Sequence, residues 1–376
     1  MTPSIRLGRV FGIEVGFNWS LIFVFAYVAW TLATVYLPDA APGHGVVVYW
    51  VAGAIGAALF YGSLLAHELS HAVVARSHGV KVAGITLWLF GGVSRLEGEP
   101  TSARSEALIA GVGPLTSFAV AVVGLAFFFL TSWSDLVSTL CAYLAVSNLL
   151  LGLFNLVPAF PLDGGRLLSA FLWWRSGSRR RGVHDAVRVG RVFAYLMIGA
   201  GALGLFLGSV ATGIWIAFIG WFLLSAAASE EAGSAVRTLL RSVPVSAAMT
   251  SPVVTLPDWV TVEQFLESVA PNHNFTTYPI HEPSGRLTGV VRLSDLVRIA
   301  PGERSQRRLI DVARPITAVP VTNPREDLSA LIQRIGAGLE QRVLVFDNGA
   351  LVGILSPADV ARVLTIRQTS SEAPKR

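Results

Sequence analysis

The sequence predicts a multi-pass α-helical membrane domain, with six transmembrane helices and a membrane-associated β-hairpin, followed by a soluble α/β domain built from a tandem repeat. Hydrophobic residues make up 53% of the 376-residue chain, more than an ordinary soluble protein contains. The apolar stretches lie almost entirely before residue 230, and they are long enough to cross a hydrocarbon core of about 30 Å. Beyond about residue 240 the composition is that of a soluble domain and includes a duplicated pattern.

Six apolar runs give the predicted spans, at residues 17–37, 48–74, 107–130, 136–157, 192–207 and 214–229. They form a membrane domain over residues 1–230, and residues 231–243 are predicted to be a linker. The first run follows Arg6 and Arg9, as the apolar part of a signal peptide would. Its length of about 20 residues and its aromatic content favour an uncleaved transmembrane helix.

Basic residues occupy alternate connections between the predicted spans. Lysine and arginine lie before the first span, between spans two and three, and between spans four and five, and the opposite connections contain neither. Because cytoplasmic connections carry an excess of these residues, the pattern places both termini and the repeat domain in the cytoplasm of a cell-membrane protein. The arginines flank apolar segments instead of forming a basic stripe, so no nucleic-acid partner is predicted.

Residues 80–97 do not have the pattern of a spanning helix. Apolar positions alternate with β-branched and aromatic ones around Gly91 and Gly92, which predicts a β-hairpin. Non-helical backbone at membrane depth must be covered by protein or water, so this hairpin is expected to line a cavity. A substrate peptide could pair there as an added strand. An amphipathic flap on the cytoplasmic surface is the alternative.

The second span ends in His67, Glu68, Leu69, Ser70 and His71. A spacing of four places both imidazoles on one helical face, where they can bind one zinc ion. Ionisable side chains inside an apolar span cost roughly 2.5 kcal/mol or more each unless they have partners, so three within five residues indicate a shared purpose. The alternative is a cytoplasmic helix end with solvated side chains.

A third ligand must come from elsewhere, because catalytic zinc takes three protein ligands and a water. The single cysteine, Cys141, excludes a thiolate cluster, so the third ligand is expected to be a carboxylate. Asp163 is the candidate, since the prolines before it end a helix and the glycines after it allow a turn back toward the histidines. Alternatively, Asp163 caps a helix that begins at Arg166. The flanking residues are Pro158, Pro161, Gly164 and Gly165.

These residue types predict hydrolytic chemistry. Zinc lowers the pKa of a bound water toward about 7, and Glu68 can accept the water's proton and later pass it to the departing amine. Asn155 is a candidate amide donor to the developing oxyanion or to the substrate backbone, and packing within its span is the alternative.

The two motifs together resemble the site-2 protease family of intramembrane zinc metalloproteases, over roughly residues 1–230. The resemblance implies one Zn²⁺ per chain with His67, His71 and Asp163 as ligands, and Glu68 as the base. It also implies substrate contacts from the hairpin at Gly91 and Gly92 and from Asn155.

The third span carries another signature of that family at Gly113, Pro114 and Leu115. The polar Asn that usually follows this signature is absent, with Ser117 and Phe118 nearby. The resemblance therefore assigns no functional residue in the third span.

The soluble domain contains an internal repeat, predicted as residues 244–304 and 305–365 with a disordered tail at 366–376. Gly285, Gly289 and Asp295 recur 64 positions later as Gly349, Gly353 and Asp359, each set within a strand-turn-strand-helix pattern. The repeat resembles a tandem pair of cystathionine-β-synthase (CBS) domains.

That resemblance implies an adenine nucleotide in the cleft between the two repeats. In the CBS family a Ser or Thr three residues before the Asp contacts ribose, and Ser356 and Asp359 satisfy this pattern. The first repeat has Arg292 at the corresponding place, so one nucleotide site is predicted. Purely structural pairing of the repeats, or a homodimer formed through them, is the alternative.

The predicted function is regulated intramembrane proteolysis of a single-pass, membrane-anchored protein such as a membrane-anchored regulator, with the CBS pair adjusting activity. The alternative is a CBS-gated transporter or metal-handling protein in which the same His and carboxylate groups form a transport site. Glu68 separates the two, because hydrolysis requires a base there and transport need not. A catalytically idle scaffold is disfavoured by the complete ligand set.

Overall fold

A computed structural model describes residues 5–88, 91–273, 275–335 and 342–372. The chain divides into two compact units, Met1–Ser234 and Ala235–Arg376. Within the described residues, six helices are long and apolar enough to cross a membrane. The prediction of a multi-pass α-helical membrane domain is therefore confirmed.

The described part of the first unit contains six long helices and most of a seventh, α7, and all but α5 are candidate spans. They are α1 (Ser20–Ala40), α2 (Val46–Ser77), α3 (Ala103–Leu130), α4 (Asp135–Asn155), α5 (Asp163–Ser176), α6 (Arg179–Phe206) and α7 (Val210–Leu240). Helix α1 contains a π-helical turn at Leu32–Tyr36. Helix α3 begins with a capping box in which Ser102 and Ser105 exchange hydrogen bonds, satisfying N–H groups that a helix start leaves free.

Two helices differ from the sequence prediction in length. Helix α6 begins 13 residues before the predicted span, because Val183, Ala186 and Val187 form a buried face that continues the apolar stripe. Helix α7 continues to Leu240, so most of the predicted linker at residues 231–243 is helical. Its Ala, Glu, Arg and Leu residues there have high helix propensity and favour continuation of the helix over a break.

Close contacts between the spanning helices are made at small residues. A methyl group on Gly53 of α2 would lie 2.7 Å from the Ala29 carbonyl oxygen of α1, and one on Gly201 of α6 would lie 2.6 Å from the Gly213 carbonyl oxygen of α7. Lipid tails are as apolar as the side chains, so membrane helices associate by such close backbone packing.

A four-stranded sheet accompanies the helices of the first unit, with strand order β1-β2-β3-β4. Its strands are β1 (Ile5–Val10), β2 (Ile13–Phe17), β3 (Lys81–Trp88) and β4 (Gly91–Glu97). Strands β3 and β4 form the predicted antiparallel hairpin, while its residues 89 and 90 lie outside the described part of the chain. The sequence did not predict the hairpin of β1 and β2, which extends the sheet through parallel pairing of β2 with β3.

The second unit contains the predicted α/β tandem repeat. The predicted first repeat, 244–304, has α8 (Val245–Ala248), β5 (Leu256–Pro257), α9 (Val262–Gln264), β6 (Thr277–His281), β7 (Leu287–Arg292) and α10 (Leu293–Val297). The predicted second repeat, 305–365, has α11 (Leu309–Val312), β8 (Arg314–Pro315), β9 (Val321–Thr322), α12 (Leu328–Ile335), β10 (Val343–Asp347), β11 (Ala350–Leu355) and α13 (Pro357–Glu372). Strand β8 nevertheless pairs with β7 of the first repeat.

The two repeats share topology and turn geometry. In each, a short strand pairs in parallel with the first strand of an antiparallel hairpin, β5 with β6 and β9 with β10. The hairpin turns contain Gly285 and Gly349 at φ values of +84° and +83°, which favour glycine. Helix α13 includes residues 366–372 of the predicted disordered tail, and residues 373–376 lie outside the described part.

Candidate metal centre

The HExxH motif lies in the last third of α2, with both imidazoles directed at neighbouring helices. His67 and His71 are 3% and 8% exposed, and Asp163, in the first turn of α5, is 8% exposed. The Nε2 atoms of the two histidines are 3.1 Å apart. Asp163 Oδ2 lies 3.1 Å from Nε2 of His71 and 3.3 Å from Nε2 of His67. The three donor atoms thus form a nearly equilateral triangle inside the first unit.

This triangle fits a zinc ion. Zn–N and Zn–O bonds of about 2.0–2.1 Å in tetrahedral geometry separate neighbouring ligand atoms by about 3.3 Å. Two imidazoles and one carboxylate are also the donor set of many catalytic zinc sites, which leave the fourth position for water. The donors and their spacing therefore match what such a site requires.

Space for an ion is provided by Gly113 of α3. A methyl group at this glycine would lie 2.1 Å from Nε2 of His71 and 2.6 Å from Nε2 of His67. Only the absence of a side chain at Gly113 allows the two imidazole nitrogens to approach each other and Asp163.

The same face of α3 orients both imidazoles through their other ring nitrogens. His71 Nδ1 donates to the Ile109 carbonyl oxygen at 2.5 Å, and a hydrogen bond of 2.9 Å joins His67 Nδ1 to the buried Ser117 hydroxyl. Such partners fix the ring orientation of metal-binding histidines. Sequence analysis assigned no role to Ser117 or Ile109, yet residues 109, 113 and 117 recur every four positions, which places them on one helical face.

Glu68 faces the hairpin strand β4. The Ser94 hydroxyl donates to its Oε2 at 3.1 Å, and a methyl group on Gly92 would lie 2.2 Å from its Cγ. Of the two glycines predicted to contact substrate, Gly92 thus lies against Glu68, the predicted base. Gly91 adopts a φ of +127°, which favours glycine. This contact favours the expected cavity-lining hairpin over a surface flap.

The glycines after Asp163 act differently from the sequence prediction. Neither adopts a positive φ, since α5 begins at Asp163 itself and not at Arg166. Their role is close packing: a methyl group on Gly164 would lie 2.2 Å from the Leu156 carbonyl oxygen, and one on Gly165 would lie 2.6 Å from the Phe160 nitrogen. The helix start can therefore fold directly against the broken end of the preceding segment.

Asn155 is the predicted site residue that the described contacts do not join to the metal centre. Its side-chain nitrogen donates to the Leu151 carbonyl oxygen one turn back in α4, at 3.0 Å. Among the described residues, no hydrogen bond connects Asn155 to Glu68, Asp163 or the two histidines.

A second candidate site lies in the second unit, in a cleft lined by both repeats. It includes Thr250, Thr277, Arg342, Ser356 and Asp359. Asp359 accepts hydrogen bonds from the Ser356 backbone N–H (2.9 Å) and hydroxyl (2.6 Å), and from the Thr250 hydroxyl (3.0 Å). Burial and the like charge of Arg292 lower the pKa of Arg342. The structure thus brings the two predicted nucleotide residues together beside a cationic side chain.

Comparison with known proteins identifies the family. A family model described as peptidase family M50 matches residues 55–198, the region that contains all three candidate ligands. Rip3 of Mycobacterium tuberculosis, named as a candidate zinc metalloprotease, is 42% identical over 100% of this chain and 96% of its own length. The chain belongs to peptidase family M50.

The chain is also similar to other proteases. A zinc metalloprotease of Methanocaldococcus jannaschii is 28% identical over 99% of both chains. The solved structure of a site-2 protease from the same organism is 29% identical and aligns with 60% of this chain and 94% of that chain, at a TM-score of 0.41. A CBS domain model matches residues 245–302. The M50 family match and Rip3 confirm the resemblance to the site-2 protease family, and the CBS match confirms that a CBS domain is present. The protein is a multi-pass membrane metalloprotease of family M50 with a C-terminal CBS domain.

Proposed function

We propose that this M50 protein is a zinc endopeptidase whose single metal ion is held by His67, His71 and Asp163 and whose general base is Glu68. The observation that carries the proposal is the triangle of donor atoms with edges of 3.1 to 3.3 Å, with the carboxylate of Glu68 on the same helix next to His67. The substrates are membrane-anchored proteins, because the site is buried among spanning helices.

Each residue then has one role in hydrolysis. A zinc ion at this site would lower the pKa of a water and polarise the scissile carbonyl group. Ile109 and Ser117 hold the imidazoles so that both Nε2 lone pairs point at one place. Glu68 accepts a proton from the attacking water and returns it to the departing amine. The Ser94 hydroxyl keeps the Glu68 carboxylate oriented between these two transfers.

Substrate would reach the base along β4. This strand is at the edge of its sheet, so its outer backbone groups can pair with an extended peptide. Gly92 brings that edge against Glu68, and a peptide paired there would present its carbonyl groups to the site. Asn155 is proposed as a further contact with the substrate backbone or oxyanion.

The orientation proposed for the membrane domain has both termini and the CBS pair in the cytoplasm of a cell-membrane protein. It rests on the alternation, along the six spans, of connections that contain Lys or Arg and connections that contain neither.

The cleft between the CBS repeats is proposed to bind one adenine nucleotide. Arg342 and Arg292 raise the local positive potential, which favours a phosphate group, and Ser356 with Asp359 offers hydrogen-bond partners for ribose hydroxyls. Nucleotide binding would adjust proteolysis, and the pair also offers a surface for a homodimer.

The decisive experiment compares Glu68→Gln with wild type in detergent or lipid nanodiscs. The variant should keep one zinc per chain and lose cleavage of a fluorophore-labelled single-span peptide, since the amide cannot take up the proton. His67→Ala and Asp163→Ala, by contrast, should lose both zinc and cleavage. Cleavage by the Glu68→Gln variant at the wild-type rate would rule out the proposed base, and full zinc in both ligand variants would rule out the coordination.

A further inference from the structure

Arg179 lies at a junction of the elements that surround the metal centre. It is the first residue of α6, and only Gly177 and Ser178 separate that helix from α5. Its side chain is 26% exposed, whereas its neighbour Arg180 is exposed. Arginine in the first turn of a helix opposes the helix dipole, and this turn contains no acidic residue. Local helix energetics therefore do not explain Arg179.

One guanidinium group contacts three different elements. Nη1 lies 2.8 Å from Oε2 of Glu99, in the segment after β4. Nε donates to Oε2 of Glu106, in the first turn of α3, at 3.3 Å. Cζ lies 5.9 Å from the centre of the Trp173 ring of α5, within the range of a cation–π contact.

Each contacted element holds a different part of the site. Helix α3 presents the Ile109 carbonyl, Gly113 and Ser117 to the imidazoles. Helix α5 begins with Asp163. Strand β4 lies against Glu68 through Gly92 and Ser94, with Glu99 two residues beyond its end.

The backbones of α5 and α6 approach each other closely at this point. A methyl group on Gly182 would lie 2.5 Å from the Ser169 carbonyl oxygen and 2.8 Å from the Trp173 nitrogen. Because the backbones of the two helices are in contact, a displacement of the first turn of α6 would also displace α5. At Gly111, where α3 faces α5, a methyl group would make only an ordinary contact of 3.7 Å with Leu167.

We propose that Arg179 is a positioning residue of the metal centre, which ties the helix carrying Asp163 to the helix that orients His67 and His71. This inference rests on the proposed zinc site. The pair with Glu106 is the permanent part, since that carboxylate is 3% exposed and a buried charge requires a partner.

The pair with Glu99 has a separate role. Glu99 is 38% exposed, so solvent can replace the guanidinium there at low cost. The ion pair between Arg179 and Glu99 therefore holds the end of β4 but can break at low cost. Its release would let the strand move from Glu68 when a peptide pairs with it.

The test uses the full-length protein loaded with zinc, and measures zinc release to a chelating dye together with kcat and KM for the single-span peptide. Arg179→Gln should release zinc about ten times faster, at the low end of what loss of an orienting partner causes. Arg179→Lys should be intermediate, because it keeps the charge without the planar geometry that contacts three partners. Arg180→Gln is the matched control and should behave as wild type.

The two glutamates separate the two roles. Glu106→Gln should accelerate zinc release as Arg179→Gln does, whereas Glu99→Gln should keep the wild-type release rate and change KM. If Arg179→Gln lowers thermal stability but releases zinc at the wild-type rate, Arg179 is merely structural and the proposal is wrong. If the wild type binds no zinc, the proposed function itself fails.

Discussion

Replacing Gly113 with alanine adds one methyl group at the point where the two imidazoles meet. That carbon would lie 2.1 Å from Nε2 of His71 and 2.6 Å from Nε2 of His67. Non-bonded heavy atoms prefer a separation of about 3.5 Å, so the His71 nitrogen must withdraw by roughly 1.4 Å. Metal–ligand distances tolerate only about 0.2 Å.

The displacement is thus several times what coordination tolerates, and it affects two of the three ligands. Disturbing the support of one ligand lowers metal affinity by about 10- to 100-fold. For two imidazoles the expected loss is about 10² to 10⁴-fold, if the effects multiply. Gly113→Ala should therefore be isolated without zinc and without proteolytic activity.

The matched control is Gly111→Ala, two residues earlier on the same helix. Its methyl group would contact only Leu167, at an ordinary 3.7 Å. Both substitutions replace glycine with alanine within a helix, which favours helix formation by about 1 kcal/mol. Zinc content by plasma mass spectrometry, with thermal unfolding to establish folding, compares the two. A folded Gly113→Ala variant with one zinc per chain would refute the geometry.

Three further substitutions test other parts of the structure. Ser117→Ala removes a hydrogen bond of 2.9 Å to an imidazole and should weaken zinc binding about 10- to 100-fold in chelator competition; unchanged affinity would contradict its orienting role. Gly164→Ala places a methyl group 2.2 Å from the Leu156 carbonyl oxygen, so it should displace the third ligand and lower zinc content. Partial burial raises the pKa of Asp327, but hydrogen bonds from the Ser329 hydroxyl and three backbone N–H groups outweigh it and keep this pKa below its usual value. Its stabilisation is therefore complete above the unfolded pKa near 3.9 and is lost as pH falls through the folded value. Asp327→Ala should lower the free energy of unfolding by about 1 kcal/mol at pH 7, measured by denaturant unfolding, and a difference that did not shrink as the pH fell below about 3.9 would contradict this cause.

Much of the site was predictable because its chemistry is local in sequence. His67 and His71 share a helical face through their spacing of four, and Asp163 follows a segment whose prolines prevent a continuous helix. The hairpin at residues 80–97 was predictable from alternation around two glycines. The N-terminal hairpin was not predictable, because β1 and β2 are short strands and β1 is mostly exposed. Their strand structure depends on the pairing of β2 with β3.

The supporting residues required the structure. Ser117 and the Ile109 carbonyl are ordinary in sequence, and only the packing of α3 against α2 brings them to the imidazoles. The turn role predicted for Gly164 was wrong for the same reason, since the space that matters is set by a carbonyl oxygen eight residues earlier. Arg179 likewise looked like one of several topology-setting arginines until its partners were known.

The sequence by itself determined the class of molecule: spanning helices from the length of the apolar runs, the repeat from its 64-residue period, and the types of donor available for a metal. These features depend on composition and on spacing along one helix or strand. The tertiary structure decided which donors meet and what keeps them together, since the distances of about 3 Å from Asp163 to His67 and His71 result from the packing of α2 and α5 with α3. Such packing depends on where side chains are absent, as at Gly113, as much as on where they are present.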